Sequence, residues 1–134
     1  MTRNTSPHLQ RVTRQRTIIL EELRKVATHP TADEVYLMAR RRLPRISLGT
    51  VYRNLDLLAE QGEIHKIEAA GSSKRFDGNI HPHQHARCQK CGRVADIKLH
   101  VPLPDTRHID LPNFTITAVR LEFDGLCNVC APAV

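Results

Sequence analysis

Four cysteines constrain this chain more than any other feature. They form two pairs, Cys88-x-x-Cys91 in "CQKCG" and Cys127-x-x-Cys130 in "GLCNVC", with thirty-five residues between the pairs. Two such pairs are the pattern of a tetrahedral four-thiolate zinc site, so any fold must bring residues 127–130 back beside 88–91. A closed shell of four thiolates leaves no position for water. The zinc would therefore be structural, its binding energy appearing as folding energy. A redox-active Cys-x-x-Cys calls for a thioredoxin-like βαβ setting, which the pattern lacks. Disulfides belong to oxidising compartments. The N-terminal "MTRNTSPHLQ" has no apolar signal core and no stretch approaches a membrane span, so a cytoplasmic protein is expected.

Harder ligands surround the first pair. In "HPHQHARCQKCGRVADI", residues 81–97, His83 and His85 stand two apart on an expected strand and so face the same way. The returning strand "GRVADI" carries Asp96, and "KRFDG" carries Asp77. These four could converge near the joint between two halves of the chain. His29, held in a turn by Pro30, could add a third imidazole. Nitrogen and oxygen donors suit Fe(II) or Mn(II), although zinc also binds them, whereas thiolates are soft, so two separate sites are expected. The plainer alternative leaves some of these residues in solvated loops. His8, His65, His81, His100 and His108 carry no such argument and are read as surface.

Charge divides the chain in the same place. Of 134 residues with a net charge of +6, residues 1–78 hold fourteen Lys/Arg against nine Asp/Glu, and residues 79–134 hold six against five. A basic half joined to a ligand-rich neutral half suggests a nucleic-acid reader (1–78) coupled to a control module (79–134). Three helices are read in the basic half. The first has Thr13 as N-cap and Ile19, Leu23 and Val26 inward. The second opens with Thr31 and Glu34 in capping-box spacing, buries Val35, Met38, Ala39 and Leu43, and stops at Pro44. The third is capped by Ser47, buries Leu48, Val51, Leu55 and Leu58, and ends at a left-handed Gly62. "EIHKIEAAGSSKRFD" then reads as two strands around an "AAGSS" turn, the wing of a winged helix. Thr50, Tyr52, Arg53 and Asn54 lie off the third helix's inward stripe and offer groups suited to phosphates and base edges. Arg14 joins them as a candidate DNA contact. The alternative is a small helical bundle with an ordinary hairpin. A zinc hydrolase or deaminase would need an open zinc position and a His-x-Glu signature, and neither cysteine pair is preceded by one. No enzyme is expected.

From about Arg11 to Cys130 the chain resembles the ferric uptake regulator (Fur) family of metal-dependent bacterial repressors. The resemblance rests on "RVTRQRTIILEEL", "HPTADEVY", "SLGTVYRNLDLLAEQGEI", "SSKRFDG", "HQHARCQKCGRVADI" and "GLCNVC". It implies an α+β fold: a winged-helix DNA-binding domain, then a small α/β dimerisation domain, assembled as a homodimer on a palindromic operator. It also implies structural zinc on Cys88, Cys91, Cys127 and Cys130, and a regulatory Fe(II) or Mn(II) on His29, Asp77, His83, His85 and Asp96. Within the family it looks most like the peroxide-sensing PerR branch, because Asp77 and Asp96 stand where iron-sensing members tend to carry glutamate. That branch implies oxidation of His29 and His83 by hydrogen peroxide. The alternative is an iron-responsive repressor that releases DNA on losing metal. Val119 and Gln84 replace a histidine and an aspartate found in relatives with an additional metal site, so a full additional site is not expected. Pro102, Pro104 and Pro112 stand where many relatives have a longer helix and leave room for only a turn or two.

Overall fold

The computed structural model describes residues 6–68, 73–98 and 101–132, and its backbone groups into two compact units, Met1–His81 and Pro82–Val134. Most of the "AAGSS" turn (residues 69–72) and His100 lie outside the described residues. The first unit runs α1 (Pro7–Arg24), α2 (Ala32–Ala39), α3 (Leu48–Glu60), β1 (His65–Ile67) and β2 (Arg75–Asp77). The two strands pair antiparallel, His65 opposite Asp77, which makes the wing after the three helices. No helix among the described residues is long and apolar enough to cross a membrane.

Local chemistry explains most element ends. α1 starts well before Thr13 because Ser6 caps it, its Oγ accepting from the Leu9 N–H at 3.3 Å, and Pro7 occupies the first turn, where a missing N–H goes unnoticed. Thr13 is therefore an interior residue and not the cap. The helix closes at Arg24, so Val26 lies past its end and is only half-buried. α2 carries the expected capping box: Thr31 Oγ1 accepts from the Glu34 N–H and Glu34 Oε1 from the Thr31 N–H, both at 3.3 Å. It ends at Ala39, ahead of Pro44; Leu43 is buried from the turn that follows, while Met38 is only half-buried. In α3, Ser47 Oγ accepts from the Thr50 N–H at 3.1 Å, and Gly62 adopts φ +73° just beyond the helix. The three helices and the wing enclose one core, with Ile19, Leu23, Val35, Val51, Leu55, Leu58, Ile64 and Phe76 all buried.

The second unit is a three-stranded sheet in the order β4-β3-β5, from β3 (His85–Cys88), β4 (Val94–Asp96) and β5 (Phe123–Gly125). β4 returns antiparallel to β3, whereas β5 pairs parallel to it, Cys88 opposite Gly125. Its one helical piece among the described residues is a 3₁₀ turn, Thr106–His108. That agrees with the proline spacing around it. Cys88 and Val94 are its only buried apolar residues among those described, while Leu103, Ile109, Leu111, Phe114, Leu126 and Val129 are exposed.

Candidate metal centres and nucleic-acid face

Parallel pairing of β3 with β5 places the two cysteine knuckles side by side. Cys88 ends β3 opposite Gly125, and the Gln89 N–H donates to the Gly125 carbonyl at 2.8 Å, two residues before Cys127. One sulfur from each of Cys88, Cys91, Cys127 and Cys130 lies within 4.8 Å of the others. Metal–sulfur bonds of about 2.3 Å in a tetrahedron hold sulfurs about 3.8 Å apart. The Cys91 and Cys127 sulfurs stand 3.7 Å apart. The donor set and its spacing therefore fit a closed tetrahedral ion. The backbone N–H groups of Cys91 and Cys127 aimed at Cys88 hold its thiol down to about 5. Contact with the Cys127 sulfur pushes Cys130 up to about 12.

The harder donors form a group in each unit. In the first unit His29 is buried in the turn between α1 and α2, with Nε2 3.3 Å from Asp77 Oδ2 at the end of β2. Asp77 is itself buried, and its Oδ1 accepts from the Asn79 N–H at 2.9 Å, which fixes the carboxylate's orientation. His29 has φ +53°, a left-handed conformation that costs a non-glycine residue about 1 kcal/mol. Wing contacts hold it there. Arg75 Nη1 donates to the His29 carbonyl at 3.1 Å, the Phe76 N–H donates to the Pro30 carbonyl at 2.9 Å, and Thr31 forms an antiparallel bridge with Arg75.

In the second unit, His83 Nε2 lies 3.0 Å and His85 Nε2 3.3 Å from the same oxygen, Asp96 Oδ1. Asp96 is delivered by the β3–β4 register, directly across from His85. The two rings sit edge to face, 4.4 Å between centroids. Donors about 2.1 Å from an ion and at right angles to one another are about 3.0 Å apart, so each imidazole–carboxylate spacing suits neighbouring positions in a coordination sphere. Between them in sequence, the Gln84 side-chain amide pairs with the Val101 backbone, donating to its carbonyl at 2.7 Å and accepting from its N–H at 3.4 Å. His8, His65, His81 and His108 are all exposed.

On the DNA-facing candidates one correction is needed. Asn54 is buried, 6% exposed, and its Nδ2 donates to the Thr50 carbonyl at 2.8 Å. It stands three residues after Val51 and four before Leu58, which puts it on the inward face of α3. Its amide is thus turned back on its own helix instead of outward to bases. Tyr52 and Arg53 are exposed, and Arg53 Nη2 donates to Thr50 Oγ1 at 3.1 Å. Arg14 is exposed on α1. Sequence reasoning missed Arg75 and Gly78. A signal for Arg75 was present: two residues from Asp77 on one strand, it shares that residue's face.

The sequence model "Ferric uptake regulator family" matches residues 9–124. The peroxide-responsive repressor PerR of Staphylococcus epidermidis is 37% identical over 125 residues, covering 90% of this chain and 81% of that protein. Among solved structures, the Campylobacter jejuni peroxide stress regulator is 28% identical with a TM-score of 0.69, over 92% of this chain and 93% of its own. The Helicobacter pylori ferric uptake regulator, at 19% identity, shares the fold alone, with a TM-score of 0.68 over 90% of this chain and 81% of its own. The chain belongs to the ferric uptake regulator family, and it is a metal-dependent transcriptional regulator and not an enzyme.

Proposed function

We propose that this protein is a repressor that releases its operator in response to hydrogen peroxide. The observation that carries the proposal is the donor set: a buried His29–Asp77 pair in the first unit, and His83 and His85 on one Asp96 oxygen in the second. His29, Asp77, His83, His85 and Asp96 would together hold one Fe(II) or Mn(II), and Cys88, Cys91, Cys127 and Cys130 a structural Zn(II). Both carboxylates are aspartates, and the similarity to peroxide-responsive repressors supports the same assignment.

Residues 1–78 act as the DNA-binding domain and 79–134 as the dimerisation domain. The exposed apolar side chains of the second unit, Phe114 and Val129 above all, favour burial in a homodimer. Thr50, Tyr52 and Arg53 on α3, with Arg14 on α1, contact a palindromic operator whose half-sites match the dimer axis. Ligands from both domains make closure, and so the spacing of the two α3 helices, depend on complete ligation. Fe(II) held by these residues would supply the redox chemistry that activates peroxide, and Mn(II) in the same place would permit DNA binding without that reaction. In net terms, a ring C–H of His29 or His83 would become C–OH as the peroxide O–O bond breaks, the imidazole giving up the two electrons and the other peroxide oxygen leaving as water. The altered imidazole donates poorly, closure loses its support and the operator is released.

Fluorescence anisotropy on operator DNA, anaerobically with Fe(II) or Mn(II), before and after a small dose of peroxide, tests this. We expect irreversible release from the iron form only, with an added oxygen on the His29 or His83 peptide by mass spectrometry. Release by chelator alone, with both forms resistant to peroxide, would identify an iron-responsive repressor instead.

A further inference from the structure

We infer that Arg75 is a positioning residue that holds His29 in its ligand-ready conformation before any ion arrives. The inference rests on the proposed ligation by His29 and concerns how that ligand is presented. Three consecutive residues of β2 grip the turn 29–31. The Arg75 guanidinium donates to the His29 carbonyl at 3.1 Å, the Phe76 N–H donates to the Pro30 carbonyl at 2.9 Å, and Asp77 Oδ2 meets the His29 ring at 3.3 Å. An isolated antiparallel bridge between Thr31 and Arg75 ties the end of the turn to the wing. His29 and Asp77 therefore do not find each other by chance; both are set by one strand.

Arg75 is the part of this grip that depends on a side chain other than the ligands. A left-handed histidine relaxes toward the ordinary helical or extended regions unless its surroundings hold it. The guanidinium opposes that by fixing the carbonyl of the same residue. It is well covered, 18% exposed, and its charge is answered by Glu34 Oε1 at 3.6 Å. That oxygen also accepts from the Thr31 N–H and hydroxyl in the α2 capping box, at 3.3 and 3.1 Å. One carboxylate thus ties the start of α2, the His29 turn and the wing into one assembly. Both partners lie at one nitrogen, Nη1, and arginine suits the place because its guanidinium stays charged in a well-covered position where an ammonium is more readily neutralised. A ligand ordered in advance leaves less reorganisation to oppose metal binding.

The test uses the full chain, with manganese alone as probe, in wild type, Arg75→Met, Arg75→Lys and His29→Asn. Manganese affinity is measured anaerobically, and amide hydrogen exchange is followed without manganese. Arg75→Met should bind manganese roughly tenfold more weakly, the lower end of what loss of a supporting partner does to a metal site. Its Phe76 amide should lose protection while the Ile19 and Leu55 amides keep theirs, a local signature that a general loss of stability would not produce. Arg75→Lys should fall between, and it carries both readouts if Arg75→Met does not fold. Wild-type affinity in the arginine variants beside a weakened His29→Asn would overturn the positioning role alone. So would protection lost evenly through the core. Unchanged affinity in His29→Asn would overturn the ligation by His29 itself, and with it this inference.

Discussion

Glu22 lies where α1 faces the turn after α2, 3.1 Å from Lys25 Nζ and 3.3 Å from Arg42 Nη1. Partial burial resists its ionisation, but the hydrogen bonds and charges of Lys25 and Arg42 outweigh that and hold the carboxyl below its usual 4.5. A carboxyl depressed in the folded state contributes stability that is complete above the unfolded value and disappears as pH falls through the folded one. Glu22→Gln should therefore be less stable than wild type at pH 7, by on the order of 0.5 kcal/mol for a pair this open to solvent, with the gap closing toward pH 3. Urea unfolding at both pH values measures it, and a gap that stays constant would show that the charge is irrelevant. Other single residues were legible to different degrees. Thr31, Ser47 and Gly62 announced themselves because caps act within one turn of chain. Asn54 was assigned from its polarity to the outer face, although its spacing from Val51 and Leu58 already turned it inward. Thr13 lost its cap to Ser6 because a serine followed by proline is the stronger start.

Among the elements, α1 passes close to the end of β2 at Gly78. A Cβ on Gly78 would come within 3.1 Å of Arg24 Cα, Arg24 N and the Leu23 carbonyl oxygen, all backbone atoms that cannot rotate away. Gly78→Ala should then displace the strand end that carries Asp77, costing about 1–3 kcal/mol, as overpacking does. Thermal or urea unfolding gives the stability, and manganese affinity should weaken in the same variant. A fully stable Gly78→Ala with wild-type manganese affinity would mean that the backbone yields there without consequence. The helices and the wing could be read from period and caps, which are local. The close approach at Gly78 joins residues more than fifty positions apart, and no local pattern carries it.

At the scale of the molecule the two units differ in what can hold them together. The first has a continuous core from Ile18 to Phe76, whereas the described residues of the second bury only Cys88 and Val94 among apolar side chains. A sheet with so little apolar burial needs a further source of stability, which the zinc proposed for the four cysteines would supply. Removing metal from the cysteine cluster with a strong chelator under reducing conditions should abolish amide protection in β3, β4 and β5 while α1 and α3 remain protected. Hydrogen exchange by mass spectrometry separates the two, and unchanged protection in the second unit would refute a structural metal. The sequence by itself determined the donor types, the helix caps, the basic first half and the need to bring two cysteine pairs together, because those are properties of single residues or near neighbours. Only the tertiary structure decided how the pairs meet, through a parallel pairing of β3 with β5, and how His29 is held, by an arginine forty-six positions away. Both depend on long-range backbone pairing, whose partner is chosen by the fold and not by the residues beside it.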